Sequence, residues 1–357
     1  MEVAFATPWD RKCAIAKYSY SLIEELKQRV EIELVSLDPG SVLSSRRLAA
    51  RLSFGDIAHI QHDYSFFGGT AVHRNWFRRL AGRIAVPLVV TIHEMDLGDW
   101  DALPLRLYKR WFNQFLFTTE QIDRIIVHSS AYRELLAELG VDRDRLRVIP
   151  IGVPTVPPGV VSSEEAKSAL GVRGRRVITV FGSVVRRKGY EHAIDALAQL
   201  PADVVLVIAG GPHPDDRTGF FDELTNWIEN EGLAGRVVVT GYLSDDHVPV
   251  VMAATDVALA PSTSLSSSSS LMHCVAYGRP IVASDLPQNR EINERQPCLS
   301  LFSPGDPSSL AVKVYELLEY ESKREQAAAA VQSYARVWNV RNSAEQTTAV
   351  YEEVLHS

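Results

Sequence analysis

The chain is poor in cysteine. Its three, Cys13, Cys274 and Cys298, are scattered over 357 residues, which excludes a disulfide framework and favours a reducing compartment, the cytoplasm. No apolar run approaches the roughly 20 residues needed to cross a bilayer. The first residues, MEVAFATPWD, carry none of the basic charge that opens a secretory leader. A net charge of −7 argues against broad nucleic-acid binding, though it leaves room for a local basic pocket. No His/Cys/Asp spacing fits a zinc or EF-hand site, so no metal is expected. Gly210-Gly211-Pro212 is followed by no Gly-Lys-Ser/Thr, and no G-x-S-x-G occurs, which sets aside P-loop and nucleophile-elbow chemistry.

What is present is apolar material for two cores. Hydrophobic residues make up 46% of the chain, enough for two domains of ordinary size. Short apolar runs read as strands at 3–6, 31–37, 56–61, 87–92 and 122–129, and again at 176–181, 202–209, 236–240, 257–260 and 280–283. Helical patterns lie between them, including 17–28, 130–140, 244–254, 307–320 and 340–355. Val-rich runs such as 87–92 suit parallel strands buried on both faces. Alternating strands and helices predict an α/β chain of two Rossmann-like, doubly wound domains facing a central cleft. The expected boundaries are residues 1–158, then 159–338, with 339–357 forming a helix that crosses back to the first domain. The Pro-, Val- and Ser-rich segment at 154–163 is the expected linker.

The stretch with most chemistry is APSTSLSSSSSLMHCVAYGRPIVASD, residues 260–285. It reads as strand, loop, short helix and strand. Serines at a helix entrance cap it, and the free N–H groups and dipole at that end suit an anion, phosphate above all. Polar residues just beyond other strand ends mark a ligand site of the same kind: Gly182 to Gly189, Gly241-Tyr242, His62 and His93.

Several of these segments resemble the family 4 retaining glycosyltransferases of the GT-B fold. Pro261-Ser262 followed by Gly278-x-Pro280-Ile281-Val282-Ala283-Ser284 resembles the family's donor-site segment. Gly182-x5-Lys188-Gly189 resembles its phosphate loop, with Ser183 at a position often held by arginine. Cys13 to Ser19 resembles a C-G-I-A-x-[FY]-[ST] loop in which Ala14 replaces glycine. Gln61 to Gly69 resembles a "QHE-aromatic-FGG" loop, Thr91-x-His93 a "T-x-H" motif, and Pro304-Gly305-Asp306 a "P-G-D" turn. The family's E-x7-E acids fall on Leu265 and His273, so both acids are replaced.

The resemblance implies a glycosyltransferase moving a hexose from a nucleotide diphosphate sugar to an acceptor with retention, without a metal or further cofactor. Lys188, with Arg187, would stabilise the leaving diphosphate, and His93 would contact the transferred sugar. Donor contacts would come from Ala14, Gly182, Ser183, Gly241, Tyr242, Ser268, Ser269, Ser270 and Leu271. Glu291 would stand in for the missing ribose-binding acid. Trp9, His62 and Phe67 would face an unidentified acceptor: a sugar, a small molecule or a lipid-linked carrier, which leaves a peripheral membrane contact open. The replaced acids keep two alternatives in view, a catalytically silent nucleotide-sugar-binding relative or partner subunit, and a nucleotide-sugar epimerase of the same fold.

Overall fold

The computed structural model of the chain describes residues 1–9, 13–37, 45–96, 102–156, 161–212, 219–265 and 268–356. It divides into two units, Met1–Gly152 with Trp338–Ser357, and Val153–Val337. The first division falls at 152/153, a few residues before the 158/159 boundary read from the proline-rich segment, of which residues 157–160 lie outside the described residues.

The first unit carries strands β1 (Glu2–Thr7), β2 (Glu31–Ser36), β3 (Ile57–His62), β4 (Leu88–Ile92), β5 (Arg124–Val127) and β6 (Leu146–Val148). All pair in parallel, in the order β2-β1-β3-β4-β5-β6. The second carries β7 (Arg176–Phe181), β8 (Val204–Ala209), β9 (Val237–Val239), β10 (Val257–Ala260), β11 (Ile281–Ser284) and β12 (Ser300–Phe302). It is parallel too, in the order β12-β11-β10-β7-β8-β9. In each unit the chain winds outward from the first strand on one side and then reverses. The reversals fall between β1 and β3 and between β7 and β10, the places where open parallel sheets bind ligands.

Burial on both faces explains the strand composition. β8 reads VVLVIA and is buried throughout. β3 reads IAHIQH and is equally buried, so its polar side chains need partners inside the unit. The terminal helix Val340–His356 belongs to the first unit, where Val340, Ala344, Val350 and Tyr351 pack with Phe5, Tyr18 and Leu22. Gly152 makes the approach possible: a Cβ there would lie 2.5 Å from the Val340 Cα. Among the described residues no helix is long and apolar enough to cross a membrane.

Candidate active site

The second unit concentrates the sequence's phosphate-loop residues at its reversal point. β7 ends at Phe181, and Gly182 follows with φ +119°, a conformation open to glycine. The chain then makes a single 3₁₀ turn, Arg186–Lys188, and leaves through Gly189 at φ +66° into the helix Tyr190–Ala198. The loop is tied down twice. Tyr190 Oη donates to the Gly182 carbonyl at 2.7 Å, and Thr263 N donates to the Arg187 carbonyl at 3.0 Å. Lys188 Nζ thereby reaches Ser270 Oγ at 2.8 Å. The bare Cα of Gly182 lies under that pair; a Cβ would sit 2.2 Å from Lys188 Nζ and 2.5 Å from Ser270 Oγ.

Ser270 belongs to the helix Ser269–Ala276, which begins just beyond β10. Ser268 is its N-cap, its hydroxyl accepting from Leu271 N at 3.1 Å. The Leu271 amide, expected to face a donor, is thus engaged by its own cap. The N–H groups of Ser269 and Ser270 find no acceptor among the described residues, as the first turn of a helix leaves them. The result is a small, solvent-open pocket lined by Phe181, Lys188, Pro261, Ser268, Ser270 and Cys274 among others. Burial pushes the Cys274 thiol up to about 12, which keeps it protonated beside the lysine. An ammonium, two hydroxyls and a helix N-terminus converge on a concave, glycine-floored space, and that set favours an anion. Of the five serines, Ser266 and Ser267 lie outside the described residues.

Gly189 holds the two loops at their spacing. A Cβ on it would lie 2.0 Å from the Pro261 carbonyl oxygen. Gly189→Ala is therefore expected to destabilise the second unit by about 1–3 kcal/mol, the cost of a left-handed non-glycine residue, and to weaken anion binding with it. Urea unfolding checks this; a midpoint equal to wild type would show that the loop relaxes freely.

Other expected donor residues stand apart from this pocket. Arg186, the neighbour of the expected Arg187, pairs with Glu223 at 2.5 Å and lies over the Phe220 ring, turned toward the helix Phe220–Asn230. Ser183 is half-buried beside Gly182. Gly241 and the exposed Tyr242 follow β9, two strands from β7, and do not line the pocket. Glu291, expected to take over the ribose contact, forms an ion pair with Arg295 one turn along the helix Pro287–Arg295, with both side chains largely buried. Its charge is already matched within that helix. His273 Nδ1 donates to the Ser269 carbonyl at 2.9 Å.

The first unit holds a different polar centre. Positions 59 and 61 of β3 share one face and position 62 takes the other. On the first face a chain of contacts runs through the core. Tyr351 Oη lies 2.5 Å from His59 Nδ1, and His59 Nε2 lies 2.8 Å from Thr91 Oγ1. The Gln61 carboxamide spans His59 Nε2 at 3.1 Å and His93 Nε2 at 2.7 Å. His93 Nδ1 meets His128 Nε2 at 3.2 Å, and His128 Nδ1 donates to the Ile149 carbonyl at 2.9 Å. Proton counting fixes the rest. His128 donates from Nδ1, so its Nε2 accepts from His93 Nδ1–H, and His93 Nε2 must accept in turn. The structure sets Gln61 Oε1 against His93 Nε2 and the amide nitrogen against His59 Nε2; proton counting assigns the flipped amide instead, with nitrogen to His93 and oxygen to His59 Nε2–H. The opposite amide orientation would require a third proton on the His93–His128 pair. Burial opposes that charge, lowering His128 to about 4 and His93 well below the usual imidazole value.

Both His93 nitrogens are thus engaged inside the first unit, and reaching a sugar hydroxyl requires exchanging one of these bonds. His62 and Phe67, expected on the acceptor side, are core residues. The His62 ring is enclosed by Tyr64, Phe67, Phe77 and Phe117 at 4.7–5.3 Å, and neither of its nitrogens has a hydrogen-bond partner. Trp9 packs against Tyr20 at 5.4 Å, and Ala14 opens the helix Ala14–Leu26, whose cap is the Cys13 thiol. Sequence reading missed Gln61, His128, Tyr190 and Thr263. Only Gln61 carried a signal, a carboxamide two residues from a histidine in an otherwise apolar strand.

Two family profiles match the chain: Glycosyltransferase Family 4 over residues 15–156 and Glycosyl transferases group 1 over residues 162–334. The chain belongs to the GT-B glycosyltransferases of the family 4 type. Curated relatives of this chain include the 2-deoxystreptamine glucosyltransferase of Streptomyces kanamyceticus, 30% identical over 52% of this chain and 48% of that one. The MMP alpha-(1->4)-mannosyltransferase of Mycolicibacterium hassiacum is 27% identical over 76% of this chain and 67% of its own. The chain thus spans between about half and two thirds of the length of these relatives. Among solved structures, HepE of Anabaena in complex with UDP-glucose superposes with a TM-score of 0.79 at 18% identity, covering 99% of this chain and 100% of that one, a likeness of fold.

Proposed function

We propose that this protein transfers a hexose from a nucleoside diphosphate sugar to an acceptor hydroxyl with retention, and that the pocket beside Lys188 binds the donor's diphosphate. The observation that carries the reading is the Lys188–Ser270 pair, held over Gly182 at the mouth of a helix. Fixed donors aimed at a developing diphosphate charge need no reorganisation when the glycosidic bond breaks. Lys188 supplies the full positive charge, the first turn of Ser269–Ala276 supplies N–H groups and dipole, and Arg187, half-buried beside Lys188, adds a second cation. The name of the Anabaena neighbour mentions UDP-glucose, so UDP-glucose is the first donor to try. Retention follows the family resemblance, as does a reaction that proceeds in EDTA.

Calorimetry with UDP, uridine and UDP-glucose, followed by NMR of the product's anomeric centre, tests the reading. Micromolar UDP binding, weak uridine binding and an unchanged anomeric configuration are expected. Absence of both binding and transfer over a donor panel would reject it; binding without transfer would leave a silent relative.

Alanine at Ser269 and Ser270 together is expected to weaken UDP binding by about 1–2 kcal/mol and uridine binding by much less, since hydroxyls at a helix entrance see phosphate and not base. Equal losses for both ligands would assign the serines to loop stability alone. Ser268 is left in place because its cap supports the helix.

A further inference from the structure

A surface helix ordinarily turns its apolar residues inward. The helix Leu103–Phe117 turns them both ways. Phe112, Leu116 and Phe117 are buried in the first unit. Leu103, Leu107 and Trp111 recur at four-residue intervals, so they share one outward strip about 12 Å long; they are 66%, 57% and 47% exposed. The strip continues into Phe115, whose ring stacks on Trp111 at 5.8 Å and lies under the Arg78 guanidinium at 4.4 Å.

All the charge in this helix is positive: Arg106, Lys109 and Arg110, with no acid between 103 and 117. By helical position Arg106 and Arg110 flank the strip on one side. Lys109 is matched by Asp96 at 2.9 Å. Arg110 reaches Glu138 only at 3.9 Å on open surface, a pair worth little in water. Arg106 has no ion-pair partner among the described residues. A basic, apolar strip on a chain of net charge −7 is a local reversal of the molecule's sign.

We propose that the outward face of Leu103–Phe117 docks on an anionic lipid surface, with Leu103, Leu107 and Trp111 entering the headgroup–acyl boundary and Arg78, Arg106 and Arg110 extending to lipid phosphates. Leucine and tryptophan on one face with arginines beside them is the composition that lies in such an interface, the long cationic stems reaching outward. Charge complementarity selects this occupant. A second copy related by a two-fold axis through the strip would set Arg106 and Arg110 against their own equivalents, whereas each cation near an anionic leaflet is stabilised. The inference is independent of the donor pocket, which lies in the other unit.

The test is co-sedimentation of the full chain with vesicles of phosphatidylcholine alone or with about 30 mol% phosphatidylglycerol, at low and high salt. Binding is expected only to the anionic vesicles and is expected to fall with salt. The combined Leu103→Ser, Leu107→Ser and Trp111→Ser variant, and separately Arg106→Glu with Arg110→Glu, are each expected to lower partitioning by about tenfold or more. All five side chains are at the surface, so circular dichroism and UDP binding are expected to match wild type. No partitioning of the wild type, equal partitioning onto uncharged vesicles, or retention by both variants would overturn the proposal. A concentration-dependent dimer abolished by Trp111→Ser, without vesicle binding, would assign the strip to a second copy instead.

Discussion

Lys188→Met is expected to lower kcat by about 10²–10³, or some 3–4 kcal/mol of transition-state stabilisation, with a smaller change in KM. The reasoning starts from the backbone. Gly182 and Gly189 fold the loop tightly, Tyr190 and Thr263 pin it, and Lys188 is the cation that the described residues place in the pocket lining. Methionine keeps the apolar stem and removes the charge, so packing around Cys274 and Phe181 survives. The effect falls mainly on kcat if the charge matters most when the diphosphate departs. Steady-state kinetics of a variant with native circular dichroism decides the matter; turnover within about threefold of wild type would remove Lys188 from the chemistry.

Acid is expected to unfold the first unit well before the second. His59, His62, His93 and His128 are all buried, and desolvation lowers His59 to about 3, His62 and His128 to about 4, and His93 well below the ordinary 6.5. The sign follows from linkage. Above pH 6.5 these rings are neutral whether the unit is folded or not, and no penalty exists. As pH falls from 6.5 toward 4 the unfolded chain takes up protons that the folded one refuses, so stability is lost throughout that window. Each ring contributes up to about 1.4 kcal/mol per pH unit, and four together up to about 5, against a typical stability of about 5–15 kcal/mol for a domain. His62 is a useful probe because burial in a box of aromatic rings outweighs the nearby Asp63 charge and its own backbone, which favour the proton. His62→Leu is expected to flatten the pH slope by about one proton's worth. Calorimetry between pH 7 and 4.5 checks both statements; a first transition that does not move with pH would mean that the rings gain water or partners on protonation. Below that window Glu353 adds to the loss, since Arg147 and Arg124 hold its carboxyl below the usual range.

The two-sheet architecture was legible because parallel strands must be apolar on both faces. Runs such as Arg176–Phe181 and Val204–Ala209 announce themselves whatever surrounds them. The turn after β7 was legible for a similar reason: Gly182 and Gly189 occupy backbone conformations that few other residues tolerate, so the glycines mark the turn in advance. The helix Leu103–Phe117 was not read. Its exposed leucines and tryptophan blur the inward stripe that defines a surface helix, and the same residues make up its docking face.

Side-chain destinations were harder. His62, Phe67 and His93 sit at strand ends, where polar and aromatic residues suggest a ligand. One residue of register decides whether such a side chain joins a hydrogen-bonded chain or an aromatic box, and neither outcome is written in the strand itself. His93's partners come from positions 61 and 128, and the network is closed by Tyr351 from the far end of the chain. Glu291 gives the same lesson on a shorter scale, since only the folded helix shows its charge matched by Arg295 in a largely buried pair. The sequence by itself determined the alternation of strands and helices, the glycine-shaped loop and the basic residue within it, because those depend on local conformation and burial period. Which atoms meet, and hence that Lys188 finds Ser270 across 82 residues while His62 finds no polar partner, was decided by strand order and register, which bring distant positions together.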